Sequence, residues 1–283
     1  MEDQNNSLAD SQVVPPALPA QQQTKRFKQY FFEGLMIFLA ISLGFFADNL
    51  REDIAEGKQA SQLAASLYKE VYKDSIELAI VIKNRQRKMD ELRFFIDFVR
   101  DSSLINPSER FLKSYAWSFT AVSSIHFDPS DGVLQQIHNS NNLQLFRNAE
   151  LQNQINDLYV NTSRLRNRWN HELDFQQSRI VPFNLKHQDL RWYRKISNDH
   201  TLQFLNAMNT LESTKSSGVK GEVRNLKTFD RDEAESLAQM YLVYLNGTRN
   251  GYLNKYLTTV NQLLEALRNE YHDEIKKIID STN

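Results

Sequence analysis

The chain has 283 residues, with 34 Lys and Arg against 35 Asp and Glu and a formal net charge of −1. That length suits one large domain or two modest ones, and the balance excludes the basic excess of a general nucleic-acid binder. Eight glycines, six prolines and no cysteine point to a helical chain without disulfides, thiolate metal sites or cysteine nucleophiles.

Residues 1–24, MEDQNNSLADSQVVPPALPAQQQT, hold a Pro pair, a Gln run and no aromatic side chain. So little apolar surface does not offset ordering entropy, and a disordered tail is expected. Lys25, Arg26 and Lys28 come next, among Phe27, Tyr30, Phe31 and Phe32. From Gly34 to Ala47 there are 14 residues without a charge, about 21 Å of helix. Counted outward, Phe27 to Phe46 gives about 20 positions and roughly 30 Å, the thickness of a bilayer core. Lys28 is then placed to reach the headgroups, with the aromatic cluster at the interface.

Glu33 is the ionisable residue inside this stretch. Two positions compete for it: the interface near the helix N-terminus, where the dipole favours an anion, or the face turned toward a partner membrane helix. Ala40 and Gly44 form a small-xxx-small pair of the kind that lets two membrane helices approach. The region before the apolar run is roughly thirty residues long and no A-x-A site follows it, which favours an uncleaved signal anchor over residues 27–47. The basic N-terminal flank places the tail in the cytoplasm and residues 48–283 outside it, as an inner-membrane topology.

Beyond Gly57 no glycine or proline occurs until Pro107. Ala64, Tyr68, Val71, Ser75, Leu78, Ile82, Arg85, Met89, Leu92, Ile96 and Val99 alternate by four and three, a heptad seam that Ser75 and Arg85 interrupt. The membrane helix is therefore expected to run on to about Arg100. Three later starts carry caps: Asn106 with Pro107 and Glu109, Asp128 in DPSD, and Asp230 with Glu233. Asn148 caps a further helix through LDF, with Leu151, Ile155, Leu158, Thr162, Leu165, Trp169 and Leu173 on one face, and Pro182 is expected to end it. A shorter helix over 201–211 carries Leu202, Leu205 and Met208. The last element runs from Asp232 along Leu242, Leu245, Tyr252, Tyr256, Val260, Leu263, Leu267, Tyr271 and Ile278, with Gly247 and Gly251 as a place for a kink. The fold expected is all-α: a transmembrane helix continuing into a long helix, and an antiparallel helical bundle outside the membrane.

Chemistry is scarce. GxSxG, Walker-type and GxGxxG loops and EF-hand spacing are all missing. His171-Glu172 opens HELDF, but Phe175 stands where a zinc motif needs its second histidine. No catalytic, cofactor or metal site is expected, and no small-molecule substrate. Arg164, Arg166 and Arg168 surround Trp169, either as a solvated helix face or as a docking patch for an acidic partner or lipid headgroup. The irregular stretch from Glu212 to Asp230 holds Lys215, Lys220, Arg224 and Lys227, and long loops of this kind are functional or disordered.

Two stretches together resemble an uncharacterised family of bacterial single-pass membrane proteins, a domain of unknown function. One is EGLMIFLAISLGFFADNLRED. The other is LQQIHNSNNLQLFRNAELQNQINDLY, carrying Ser140, Asn142, Leu143, Leu145, Phe146, Leu151, Ile155 and Tyr159. Asn141 stands where that family usually has Gly, and Asn tolerates the same left-handed backbone. Leu50 lies near the place of the family's Trp. The resemblance implies a membrane location and a helical fold, with no activity. The function expected is that of an anchored scaffold or interaction protein, with a bilayer and a protein partner or second copy as its contacts. A sensor or adaptor acting through the single span is the alternative.

Overall fold

The computed structural model describes residues 20–120, 125–196 and 218–282. The expected helix over 201–211 and residues 1–19 of the expected tail lie outside the described residues. Every regular element among the described residues is helical. By contacts the chain divides at Gly57 into two units, Met1–Gly57 and Lys58–Asn283.

Helix α1 spans Ala20–Asp101, so it starts inside the expected tail and passes the expected end of the span without a break. In the first unit every side chain from Gln29 to Gly57 is exposed. In the second unit α1 buries one face: Ala64, Leu67, Tyr68, Val71, Leu78, Met89, Leu92, Phe95 and Val99 are all closed to solvent. This is the expected heptad seam, with Leu67 and Phe95 widening it.

Helix α1 ends before a turn in which Asn106 takes a positive φ of 53°. Asn106 is therefore not the cap of α2 (Glu109–Phe119). Ser108 is, its hydroxyl accepting from the Phe111 N–H, because the left-handed residue lies outside the helix and the cap must be extended. Nor does Asp128 cap α3 (Gly132–Asn139): Asp131 takes the cap position, without a side-chain cap bond. Asp128 pairs instead with Arg166 at 2.8 Å. Asn141 sits at φ 55°, ψ 20°, the left-handed turn expected at that place.

Helix α4 (Ala149–Phe175) starts as expected, with Asn148 Oδ1 accepting from the N–H groups of Glu150 and Leu151. It does not end at Pro182. A π turn, Gln176–Ile180, leads directly into α5 (Val181–His187). In this turn the Val181 N–H reaches back five residues to Gln176 O, and such a widened turn relieves the clash a proline ring otherwise makes with the carbonyl four residues before it. Helix α6 (Leu190–Ile196) follows. The carboxylate Oδ1 of Asp230 caps α7 (Arg231–Thr248), accepting from Asp232 and Glu233 N–H. A second π turn, Arg249–Leu253, joins it to α8 (Asn254–Glu270), and a break at Tyr271 separates α9 (His272–Thr282).

That second π turn contains Gly251 and moves the buried seam by one residue. Ala234, Ala238, Tyr241, Leu245 and Thr248 are buried before it; Leu253, Tyr256, Val260, Leu263 and Leu267 are buried after it. The step from Thr248 to Leu253 is thus one residue longer than a helical seam allows, so Leu253 is buried where Tyr252 was expected.

Long-range hydrogen bonds give the run of the helices. Along α1, Tyr68 Oη accepts from Arg268 at 2.7 Å, Gln86 Oε1 from Arg249, and Val99 O from Arg231. Along α4, Asn148 donates to Glu270 at 2.7 Å, Asn161 to Thr259 at 3.0 Å, and Gln176 to Tyr241. In both series the partner number falls as the helix number rises. Two apolar cores result. The first joins Met89–Val99, α2, Ile180, Phe183, Trp192 and the start of α7, and is rich in rings: Phe95 meets Phe111, Tyr115 and Phe119 within 4.9–5.6 Å. The second joins Leu63–Val81, α3, Leu151–Leu165 and Leu253–Ile275, and is mostly aliphatic.

Candidate functional site

Between the two cores lies a buried polar layer. Its residues come from α1 (Arg85, Lys88), from α4 and its π turn (Glu172, Gln176) and from α7 (Tyr241, Thr248). All of them are at most 2% exposed. Arg85 grips Glu172 with two parallel bonds, Nη1 to Oε1 at 3.2 Å and Nη2 to Oε2 at 2.6 Å, and its Nε donates to Ile125 O at 3.0 Å. The Thr248 hydroxyl donates to Glu172 Oε1, and Arg168 donates to Thr248 Oγ1 at 2.8 Å and to Tyr244 O at 3.1 Å. Gln176 donates to the Tyr241 hydroxyl, and the Lys88 ammonium lies 4.9 Å over the Tyr241 ring.

Electrostatics set this layer apart. Three ionisable side chains, Arg85, Lys88 and Glu172, leave water here, which costs several kcal/mol per ion unless geometry and hydrogen bonds return it. The forked Arg85–Glu172 contact is the geometry that does so. Burial, and then the neighbouring Arg85, push the Lys88 amine down to about 7, against the pull of Glu172. Burial pushes the Tyr241 phenol well up. His126, stacked on Trp169 at 4.1 Å, is pushed down by burial. Both π turns touch the layer: Gln176 begins one, and Thr248 directly precedes the other.

A second polar feature holds the 128–133 turn against α1 and α4. Arg166 binds Asp128, Asp131 and the Pro129 carbonyl; Asp74 Oδ2 accepts from the Ser130 N–H at 2.9 Å and Glu70 Oε2 from the Val133 N–H at 3.1 Å. Burial raises the Asp74 carboxyl to about 6 although the Ser130 bonds oppose it.

The residues singled out from the sequence are dispersed. Glu33 is exposed and accepts from Gln29 Nε2 at 3.3 Å; Ala40 and Gly44 are exposed. Arg164 is exposed, while Arg166 and Arg168 are half-buried in the intrachain contacts above. Lys220 and Arg224 are exposed, on a stretch tied down through its backbone: the Arg224 N–H donates to His187 O at 2.9 Å, and the Trp192 indole donates to Val219 O at 3.1 Å. Gly221 is required there, since a Cβ would stand 2.6 Å from the Trp192 ring. Among the described residues no three His, Asp or Glu side chains are grouped to hold a metal ion.

The layer itself escaped sequence reasoning. Arg85 registered as an interruption of the seam and Glu172 as part of a failed zinc motif, and Lys88 gave no signal. A cation at a seam position, paired with a lone acid on another apolar face, is the one sequence signal pointing to such a layer. Neither family models, nor curated proteins, nor solved structures contain a match to this chain.

Proposed function

We propose that the chain is a single-pass, membrane-anchored helical scaffold or interaction protein. In this reading residues 27–47 span a bacterial inner membrane, the N-terminus is cytoplasmic, and residues 48–283 form an antiparallel helical bundle on the other side. The observation that carries it is the stretch from Tyr30 to Phe46, exposed all round and, apart from Glu33 near its start, without a charge. From Phe31 to Phe46, eleven large apolar side chains, including Phe31, Met36, Phe38 and Phe45, face outward at between 39% and 69% exposure. A contiguous apolar surface of this kind marks a lipid or protein contact, and about 20 residues match a bilayer. The bilayer is the first partner, and a protein or a second copy the next. No catalysis is assigned.

The alternative, a sensor or adaptor, has one observation in its favour. Arg85 and Lys88 belong to α1, the helix that also carries the apolar stretch. Orientation is tested by protease added to spheroplasts. The expected result is digestion of the part beyond Asp48 with the N-terminal tail spared; protection of the entire chain contradicts the orientation.

A further inference from the structure

Among the described residues the buried layer holds two cationic side chains, Arg85 and Lys88, and one carboxylate, Glu172. Both oxygens of that carboxylate are engaged by Arg85, and Oε1 also by Thr248. A guanidinium keeps its proton in any protein setting, whereas an ammonium can lose one. Of the two cations, Lys88 is thus the one through which the layer can change its net charge. Among the described residues the charged and titratable groups around it include Arg85 on α1, Glu172 on α4 and Tyr241 on α7. Beyond these, His126 faces Arg85 and Glu172 from the segment before α3, and Arg168 and Arg249 bind Thr248 and Gln86 at the rim.

The geometry around the layer allows movement. Two of the chain segments facing α1 here carry a π turn, Gln176–Ile180 on one and Arg249–Leu253 on the other. A π turn holds one extra residue and is a place where a helical ladder can shift register. The layer lies between two apolar cores, and of its side chains only Tyr241 belongs to either of them.

We propose that this layer is a proton-operated switch: with Lys88 neutral, α1, α4 and α7 are locked across it, and with Lys88 protonated the packing opens at the two π turns and uncouples the cores. The switch rests on the folded unit alone and does not depend on whether the apolar stretch spans a bilayer. Its linkage follows. In the opened layer Lys88 is hydrated and returns toward its ordinary 10.5, while in the closed layer it sits at about 7. Closing therefore releases a proton in that interval, and the closed form gains with rising pH there and is level below it.

The test is hydrogen exchange of the full chain in lipid nanodiscs, corrected for intrinsic rates, read on peptides covering 172–183 and 245–256. Protection should be level below a pH of about 7 and climb by up to ~10-fold per pH unit above it. Lys88→Met should give protection that does not vary with pH across the range, and Lys88→Arg should hold it at the low-pH value. Asp74→Asn, in the other polar feature, should leave the climb in place. A level wild-type profile overturns the switch without any variant, and so does a climb that survives in Lys88→Met.

Discussion

Helix α1 contains two stretches of the same secondary structure with opposite surroundings. From Gln29 to Gly57 none of the described residues covers it, although Gly34–Ala47 carries no charge. From Ala60 to Val99 the helix alternates, and its apolar stripe lies in the two cores while Lys69, Lys73, Lys83 and Arg93 face out. An amphipathic helix needs one apolar neighbour and finds it in its own chain. A helix apolar on every side needs an apolar solvent. The contrast teaches that pattern, more than average hydrophobicity, separates a core-facing segment from an uncovered one.

Perturbations of the second stretch sharpen that contrast, since they should unsettle the folded unit and spare the first. The largest expected effect is at Glu172. Glu172→Ala leaves Arg85 buried without its carboxylate and should cost about 3–5 kcal/mol, read as a fall in denaturation midpoint of the full chain. Replacing both partners, Arg85→Met with Glu172→Leu, should return most of that loss, because an apolar pair of similar volume replaces the charges. A double variant as unstable as the single one would show that the layer holds more than this pair.

Acidity supplies the next effect. The Asp74 carboxyl is raised from 3.8 to about 6, so the folded state holds its proton more tightly than the unfolded one. The stability it contributes is complete below 3.8 and is lost as pH rises through 6. Asp74→Asn should therefore gain in melting temperature relative to the parent between about pH 4 and pH 7. A constant difference across that range would show that Asp74 does not titrate as described. The smallest effect is at a helix end: Asn148→Ala removes the cap of α4 and should cost about 1 kcal/mol, with no change in the response of the 172–183 peptides to pH.

Much of the fold is legible in the sequence because it is periodic. The α1 seam and the Asn148 and Asp230 caps follow from rules a few residues long, while the left-handed Asn141 is implied by the resemblance. What escapes is of two kinds. Register shifts are one: the π turns at Gln176 and Arg249 each carry the helix past a place where a break or kink was expected, and the second moves the seam from Tyr252 to Leu253. Pro182 and Gly251 read as breakers, but a π turn absorbs each. Long-range pairing is the other. Arg85 and Glu172 are 87 positions apart, and apart from the place of Arg85 in the seam nothing local distinguishes a buried pair from two solvated charges. Lys88, with no apolar neighbour pattern of its own, is invisible for the same reason.

The central claim is that the first stretch of α1 lies in lipid. The most direct measurement is alkaline carbonate extraction of membranes from cells making the full chain. The account predicts that the chain stays with the membrane pellet through high salt and carbonate and is released only by detergent. Release into the carbonate supernatant would contradict it, and would mean that another protein, and not a bilayer, covers Phe31 to Phe46.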